Sequence, residues 1–158
     1  MNKTNALRVL DTNKVKYEVF EYPTDGNIDA ISVANYLNEN PSQVFKTLVT
    51  VSANRINYVF VVPGNKELDL KKAAKLVNEK SIEMIPQKTL LPLTGYIHGG
   101  CSPIGMKKML KTIIDSSALN YDCIYVSAGK VGMQVKLNPN HLCEIINGEY
   151  GEICKWNI

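Results

Sequence analysis

Phe45-Lys46-Thr47-Leu48-Val49-Thr50-Val51, then Ser52-Ala53-Asn54-Arg55, then Asn57-Tyr58-Val59-Phe60-Val61-Val62: this run decides the fold class. Both arms are rich in β-branched and aromatic side chains, and the polar link between them is short, so the run predicts a β-hairpin. Alternation along the first arm puts Lys46 on one face with Val44 and Leu48, and Phe45, Thr47 and Val49 on the other. A lysine in so apolar a strand is costly to desolvate unless it meets an anion, a polar site or solvent. Two readings of Lys46 therefore stand, a functional cation or a strand-edge lysine that snorkels to water.

Working outward, Ala6, Leu7, Val9 and Leu10 have helical spacing behind Thr4 or Asn5 as cap, and Val15, Tyr17, Val19 and Tyr22 approximate strand alternation. Pro23-Thr24-Asp25-Gly26 is strong turn chemistry. A second helix is expected from Asp29 to Glu39 and a third from Leu68 to Val77 with Asp69 as cap. A short helical piece follows Pro86. Strands are expected at Lys111–Asp115, Ile124–Ser127 and Met133–Leu137, the last two joined through Ala128-Gly129-Lys130-Val131-Gly132. A final helix begins near Asn138-Pro139 and stops near Asn147-Gly148. Closely connected strands with interspersed helices favour an α+β domain over a regularly alternating doubly wound fold.

Composition narrows the classes. With 158 residues, 45% hydrophobic and 21% charged, the chain suits one ordered domain spanning residues 1–158. No apolar run approaches the roughly 20 residues of a membrane span, and the first residues lack a signal-peptide core, so a cytoplasmic protein without membrane contact is expected. Cysteines at 101, 123, 143 and 154 are too scattered for a zinc knuckle and too few for a disulfide scaffold. Two histidines without an adjacent carboxylate cluster give no metal-site pattern, so no metal or cofactor is expected. The formal charge of +3 permits a polyanionic partner without identifying one.

The densest chemistry lies in Thr94-Gly95-Tyr96-Ile97-His98-Gly99-Gly100-Cys101-Ser102-Pro103-Ile104-Gly105. Gly99-Gly100 leaves backbone N–H groups unobstructed, and Gly105 is a candidate start for a helix through Met106-Lys107-Lys108-Met109. The stretch reads either as a cradle for a phosphate or oxyanion, or as a turn demanded by tight packing. It matches neither a dinucleotide fingerprint nor a P-loop. Cys101 and His98 suggest a nucleophilic pair, yet such pairs are usually assembled from distant positions, and nothing local lowers the thiol pKa. Ser127 lacks the context of a nucleophile elbow. Lys71, Lys72, Lys75, Lys107, Lys108 and Lys111 read as a solvated face unless the fold clusters them.

In order, Val44-Phe45-Lys46-Thr47-Leu48, Leu68-Asp69-Leu70-Lys71-Lys72, Thr94 to Gly105, and Tyr125-Val126-Ser127-Ala128-Gly129-Lys130 resemble the YbaK/EbsC family of aminoacyl-tRNA deacylases, related to the editing domain of bacterial prolyl-tRNA synthetases. The resemblance runs from Asn5 to Ile153 and is most similar to the YbaK branch. It implies an α+β fold with a mixed, largely antiparallel β-sheet or barrel-like sheet flanked by helices. It implies an enzyme that clears cysteine mischarged on proline tRNA, with some action on other Cys-tRNA. The partner is then the acceptor end of an aminoacyl-tRNA, with prolyl-tRNA synthetase as a second candidate.

By the same resemblance Lys46, Gly99 and Gly100 are the catalytic set, and Tyr22, Thr47 and Ser127 bind substrate; His98 joins them as a substrate-binding candidate on its own chemistry, read either as a donor or as a packed loop residue. Gln134 stands where some members carry an acidic residue, which disfavours a carboxylate base there. The mechanism this suggests is attack by the substrate's own sulfur on its ester carbonyl. Alternatives are an alanine- or serine-specific deacylase using activated water, and a noncatalytic tRNA- or synthetase-binding module.

Overall fold

A computed structural model describes residues 3–23 and 29–156. The turn expected at Thr24-Asp25-Gly26 lies outside the described residues. Helix α1 (Asn5–Thr12) starts at Thr4, whose hydroxyl accepts a hydrogen bond from Leu7 N, and it buries Ala6, Leu7 and Leu10. Strand β1 (Tyr17–Glu21) follows, then α2 (Ala30–Leu37), capped by Asp29 through Ser32 N. The expected hairpin is β2 (Phe45–Ser52) against β3 (Asn57–Pro63), antiparallel throughout. Helix α3 (Leu70–Leu76) is capped by Asp69, which accepts from Lys71 N and Lys72 N.

The remaining elements are β4 (Ile82–Met84), α4 (Leu90–Thr94), β5 (Lys111–Asp115), β6 (Ile124–Lys130), β7 (Met133–Leu137), α5 (Pro139–Ile145) and β8 (Glu149–Gly151). Two sheets result, ordered β4-β2-β3-β5-β8 and β1-β7-β6. The three-stranded sheet is wholly antiparallel, whereas β5 runs parallel to both β3 and β8. The sheets do not close into a barrel. They meet where Val44, just before β2, forms a parallel bridge with Tyr125, and Tyr125 N donates to Gln43 O.

The pleat of β2 divides the interior as its alternation predicts. Phe45 and Val49 join Val59 and Val61 of β3 in a core closed by Val126, Val135 and Leu137 of the smaller sheet and by α1. On the opposite face, Phe60 and Val62 pack with Ala73, Ala74 and Val77 around α3, and Leu48 lies against them. A third cluster sets Val33 and Ala34 of α2 on Val44 and Tyr125. Gly64 permits that approach, because a Cβ there would lie 2.3 Å from Ala30 Cβ.

One expected helix is absent. Residues Met106 to Met109 form no helix; Gly105 has φ +75°, Lys107 N donates to Thr94 O, and Met109 is 71% exposed. The glycine turns the chain back onto α4 before a helix can start.

Candidate active site

The two sheets leave between them a cavity of about 490 Å³. Its floor comes from β6 and β7, where Ser127 sits opposite Gln134 in register, 8% and 5% exposed respectively. A break in register between Ser127 and Lys130 follows, and Gly129 N donates to Ser127 Oγ at 3.1 Å, which fixes that hydroxyl. Gln134 Nε2 donates to Tyr22 OH at 3.4 Å, while Gln134 Oε1 is buried with no partner among the described residues. Thr47 of β2, another lining residue, also holds a buried hydroxyl oxygen without a partner among the described residues. Buried polar atoms are nearly always hydrogen-bonded, and leaving one unmade costs about 1–3 kcal/mol. Both residues line the cavity, while the two oxygens themselves are sealed within its walls.

The glycine-rich loop forms a second wall and is itself braced. Thr94 Oγ1 donates to Leu90 O and accepts from Tyr96 N; Tyr96 OH donates to Ile104 O at 2.5 Å; Ser102 Oγ accepts from Ile104 N. Burial pushes the Tyr96 phenol up to about 12, so it remains a neutral donor. Thr4 Oγ1 donates to Ala128 O and Asn5 Nδ2 to Gly105 O, tying the start of α1 to both the floor and the loop.

Within that frame the two central glycines differ. Gly99, with φ +85°, lines the cavity, and so does Cys101; neither donates a backbone hydrogen bond among the described residues. Gly100 is buried, its N–H donates to Ile97 O, and a Cβ there would meet Val131 N at 2.8 Å. The loop is thus both a donor surface and a packing turn, with the roles divided between neighbouring residues.

Lys46 also lines the cavity, but the pleat places it on the face of Leu48, opposite Thr47. It forms no ion pair among the described residues and lies within electrostatic reach of Cys154. Burial and the Asp115 carboxylate push the Cys154 thiol up to about 12, and Lys66 and Lys46 act in the opposite sense. By pleat, therefore, Lys46 leaves β2 on the Leu48 face while the residue still lines the cavity.

Cys101 is a poor nucleophile in this setting, since burial pushes its thiol up to about 11 despite a hydrogen bond with Thr94. At neutral pH roughly one molecule in 10⁴ would carry the thiolate. His98 is exposed on the cavity wall, and His141 is exposed on α5. Tyr22 does not line the cavity; it supports Gln134 from behind and stacks on Tyr36 with centroids 6.2 Å apart. Lys71, Lys72, Lys75, Lys107, Lys108 and Lys111 are absent from its lining.

The fold thus brings Lys46, Thr47, His98, Gly99 and Ser127 to one cavity and sets Gly100 and Tyr22 just behind it. Sequence reasoning missed the wall made by the cap residue Asp29, by Ala30, Ile31 and Val33 of α2 and by Ile85 and Leu90. These are ordinary apolar positions, Asp29 apart, and only the packing of α2 onto Gly64 hints at them.

The model of the aminoacyl-tRNA editing domain matches residues 27–145, and this chain belongs to that family. It is 47% identical over 152 residues, 96% of this chain and 93% of the relative, to the Enterococcus faecalis protein named "Putative Cys-tRNA(Pro)/Cys-tRNA(Cys) deacylase EbsC". Among solved structures, one described as a "putative trans-editing enzyme for prolyl tRNA synthetase" superposes with TM-score 0.85 at 25% identity, covering 99% of this chain and all of that one. The hypothetical protein APE2540, at 18% identity, shares the fold with TM-score 0.88 over 96% of this chain and all of that one.

Proposed function

We propose that residues 1–158 form one deacylase domain that releases cysteine from proline tRNA, and from Cys-tRNA(Cys) as well, in the cytoplasm. The observation that carries the reading is a cavity whose polar lining holds, carries and positions but offers no activated nucleophile: Thr47, Ser127 and Gln134 are neutral, and Cys101 is held protonated. The 47% identical relative named for Cys-tRNA supports the choice of amino acid. The likeness to a trans-editing protein for prolyl-tRNA synthetase supports proline tRNA as the carrier and that synthetase as a partner.

A cysteinyl ester carries its own nucleophile. Its sulfur attacks the ester carbonyl, the C–S bond forms, the C–O bond to the ribose breaks, and the thiol proton passes to the departing ribose oxygen. The products are free tRNA and a four-membered cyclic thioester, which water opens to cysteine. Effective molarities on the order of 10⁵ M are available to a well-aligned intramolecular attack, less the strain of the small ring. The protein's task is then alignment and charge stabilisation.

Gly99 and Cys101, with uncommitted N–H groups at the cavity, supply donors for the oxyanion, and Gly100 holds them in place by packing on Val131. Lys46 meets the ribose end of the ester. Ser127 and Thr47 shape the aminoacyl end, Tyr22 steadies the floor, and His98 stands at the exposed wall. The test is a deacylation panel of proline tRNA charged with cysteine, alanine or serine. Rapid release of cysteine alone supports the substrate-thiol route. Release of alanine at a comparable rate would require activated water and would overturn it, and tRNA binding without any release would make the chain a binding module.

A further inference from the structure

The segment after β8 carries the chain's single tryptophan, Trp156, and leaves it 72% exposed. The ring is nonetheless held in place. Lys72 of α3 sets its ammonium 3.9 Å from the ring centroid and donates to Cys154 O at 3.0 Å. Just before the ring, Lys155 N donates to Glu67 O at 2.9 Å, and Cys154 forms an antiparallel bridge with Leu68. A cation over an indole is attractive and fixes its orientation, so Trp156 is a braced platform with most of its surface in water.

The same segment leads back to the cavity. Lys46 lines the cavity, and Lys46 and Lys66 both lie within electrostatic reach of Cys154, two residues before the tryptophan. Neither lysine forms an ion pair among the described residues. The nearby carboxylates are engaged. Glu67 pairs with Lys155, Glu152 lies 3.9 Å from Lys72, and Asp115 accepts from Ile153 N, Ser117 N and Ser117 Oγ. Two uncommitted cations therefore lie between a cavity and an exposed aromatic ring.

That combination suits a single nucleic-acid strand, whose phosphates follow the cations while a base stacks on the ring. A duplex hides its base faces and could not use the indole. A partner helix would need a wider apolar surface than one ring set among Lys72, Glu152 and Lys155. Resting on the deacylase reading, we propose that Trp156, backed by Lys72, stacks a base of the single-stranded 3′ end of the aminoacyl-tRNA, and that Lys66 holds a phosphate between that base and the ester in the cavity. Trp156 is then a binding residue outside the cavity, and its contribution falls on KM.

Because the chain has one tryptophan, its fluorescence reports this ring alone. Uncharged proline tRNA, and the same tRNA trimmed of its single-stranded 3′ end, are titrated into the wild-type protein at stepped salt. Intact tRNA should quench the emission and trimmed tRNA should not. Anisotropy of labelled tRNA then compares Trp156→Ala, Trp156→Phe and Lys66→Gln, with thermal melts to establish that each folds. Trp156→Ala should weaken binding about tenfold and raise KM for Cys-tRNA(Pro) by a similar factor with kcat little changed, and Trp156→Phe should recover most of the loss. Lys66→Gln should flatten the slope of log affinity against log salt by about 0.7. Absence of quenching, equal quenching by trimmed tRNA, an unchanged KM in Trp156→Ala or an unchanged slope in Lys66→Gln would each overturn the proposal. Quenching by intact tRNA alone without any release of cysteine would defeat the deacylase reading and leave the stacking platform standing, whereas cysteine release without quenching would do the reverse.

Discussion

The two faces of the β2–β3 hairpin are made of nearly the same residue types and do opposite things. On the α3 side, Tyr58, Phe60 and Val62 are covered by Ala73, Ala74 and Ile153, and the polar groups are spoken for: Tyr58 OH donates to Glu79 and Thr50 Oγ1 to Tyr58 O. On the side of the smaller sheet, Phe45 and Val49 flank Thr47, whose hydroxyl oxygen is buried. One face is finished by the protein itself, and the other is left unfinished, with that hydroxyl oxygen sealed in the cavity wall and unpaired among the described residues. Lys46 belongs by pleat to the finished face while the residue still lines the cavity.

Substitutions on the two faces should therefore separate stability from chemistry. Phe60→Ala, at a fully buried site on the α3 side, should cost about 3–5 kcal/mol of unfolding free energy by urea titration, while activity per folded molecule persists. Lys46→Ala should lower kcat/KM for Cys-tRNA(Pro) by roughly 10²-fold in single-turnover assays, with the urea midpoint nearly unmoved. Thr47→Val should do something rarer. Removing an unsatisfied hydroxyl should raise stability by about 1 kcal/mol while activity falls, and a simultaneous loss of both would place Thr47 with the finished face.

Cys101→Ala is expected to change turnover least, within about twofold between pH 6 and 9. Its signature is in stability. The Cys101 thiol is raised in the fold to about 11 from an ordinary 9.0, so the folded state holds a proton that the unfolded state loses first. Stability is then full below pH 9 and declines as pH rises toward 11. The decline should be shallower in Cys101→Ala, measured by urea titration at stepped pH.

Elements whose signal is local were legible in the chain. Thr4, Asp29 and Asp69 announced α1, α2 and α3 by cap chemistry, and the alternation of Phe45 to Val51 gave the correct face for Thr47. Elements that exist only because a neighbour offers an edge were not. Strands β4 and β8 have three residues each, too few to carry an alternation, and they are held by Thr50–Ser52 and Ile113–Asp115. The expected helix after Gly105 failed for a similar reason, because the backbone N–H of Lys107 was claimed by Thr94 across the turn.

The site divides along the same line. Lys46 and the Gly99-Gly100 pair could be singled out in one dimension. The division of labour between Gly99 and Gly100 could not, because it depends on how close Val131 comes. Gln134 was visible only as a departure from an acidic residue, and its place beside Ser127 emerges only when β7 pairs with β6.

Among the described residues strand β1 pairs with β7 alone, with Tyr17 opposite Leu137. A ribosome making this chain delivers β1 (ending at Glu21) long before β7 (starting at Met133), so Val19 and its neighbours must wait for their strand partner while the intervening chain is made. The floor of the cavity arrives in that same late strand. A nascent chain released before Leu137 would have neither a closed sheet nor a place to bind substrate, so incomplete products are inert by construction and offer an open strand to aggregation.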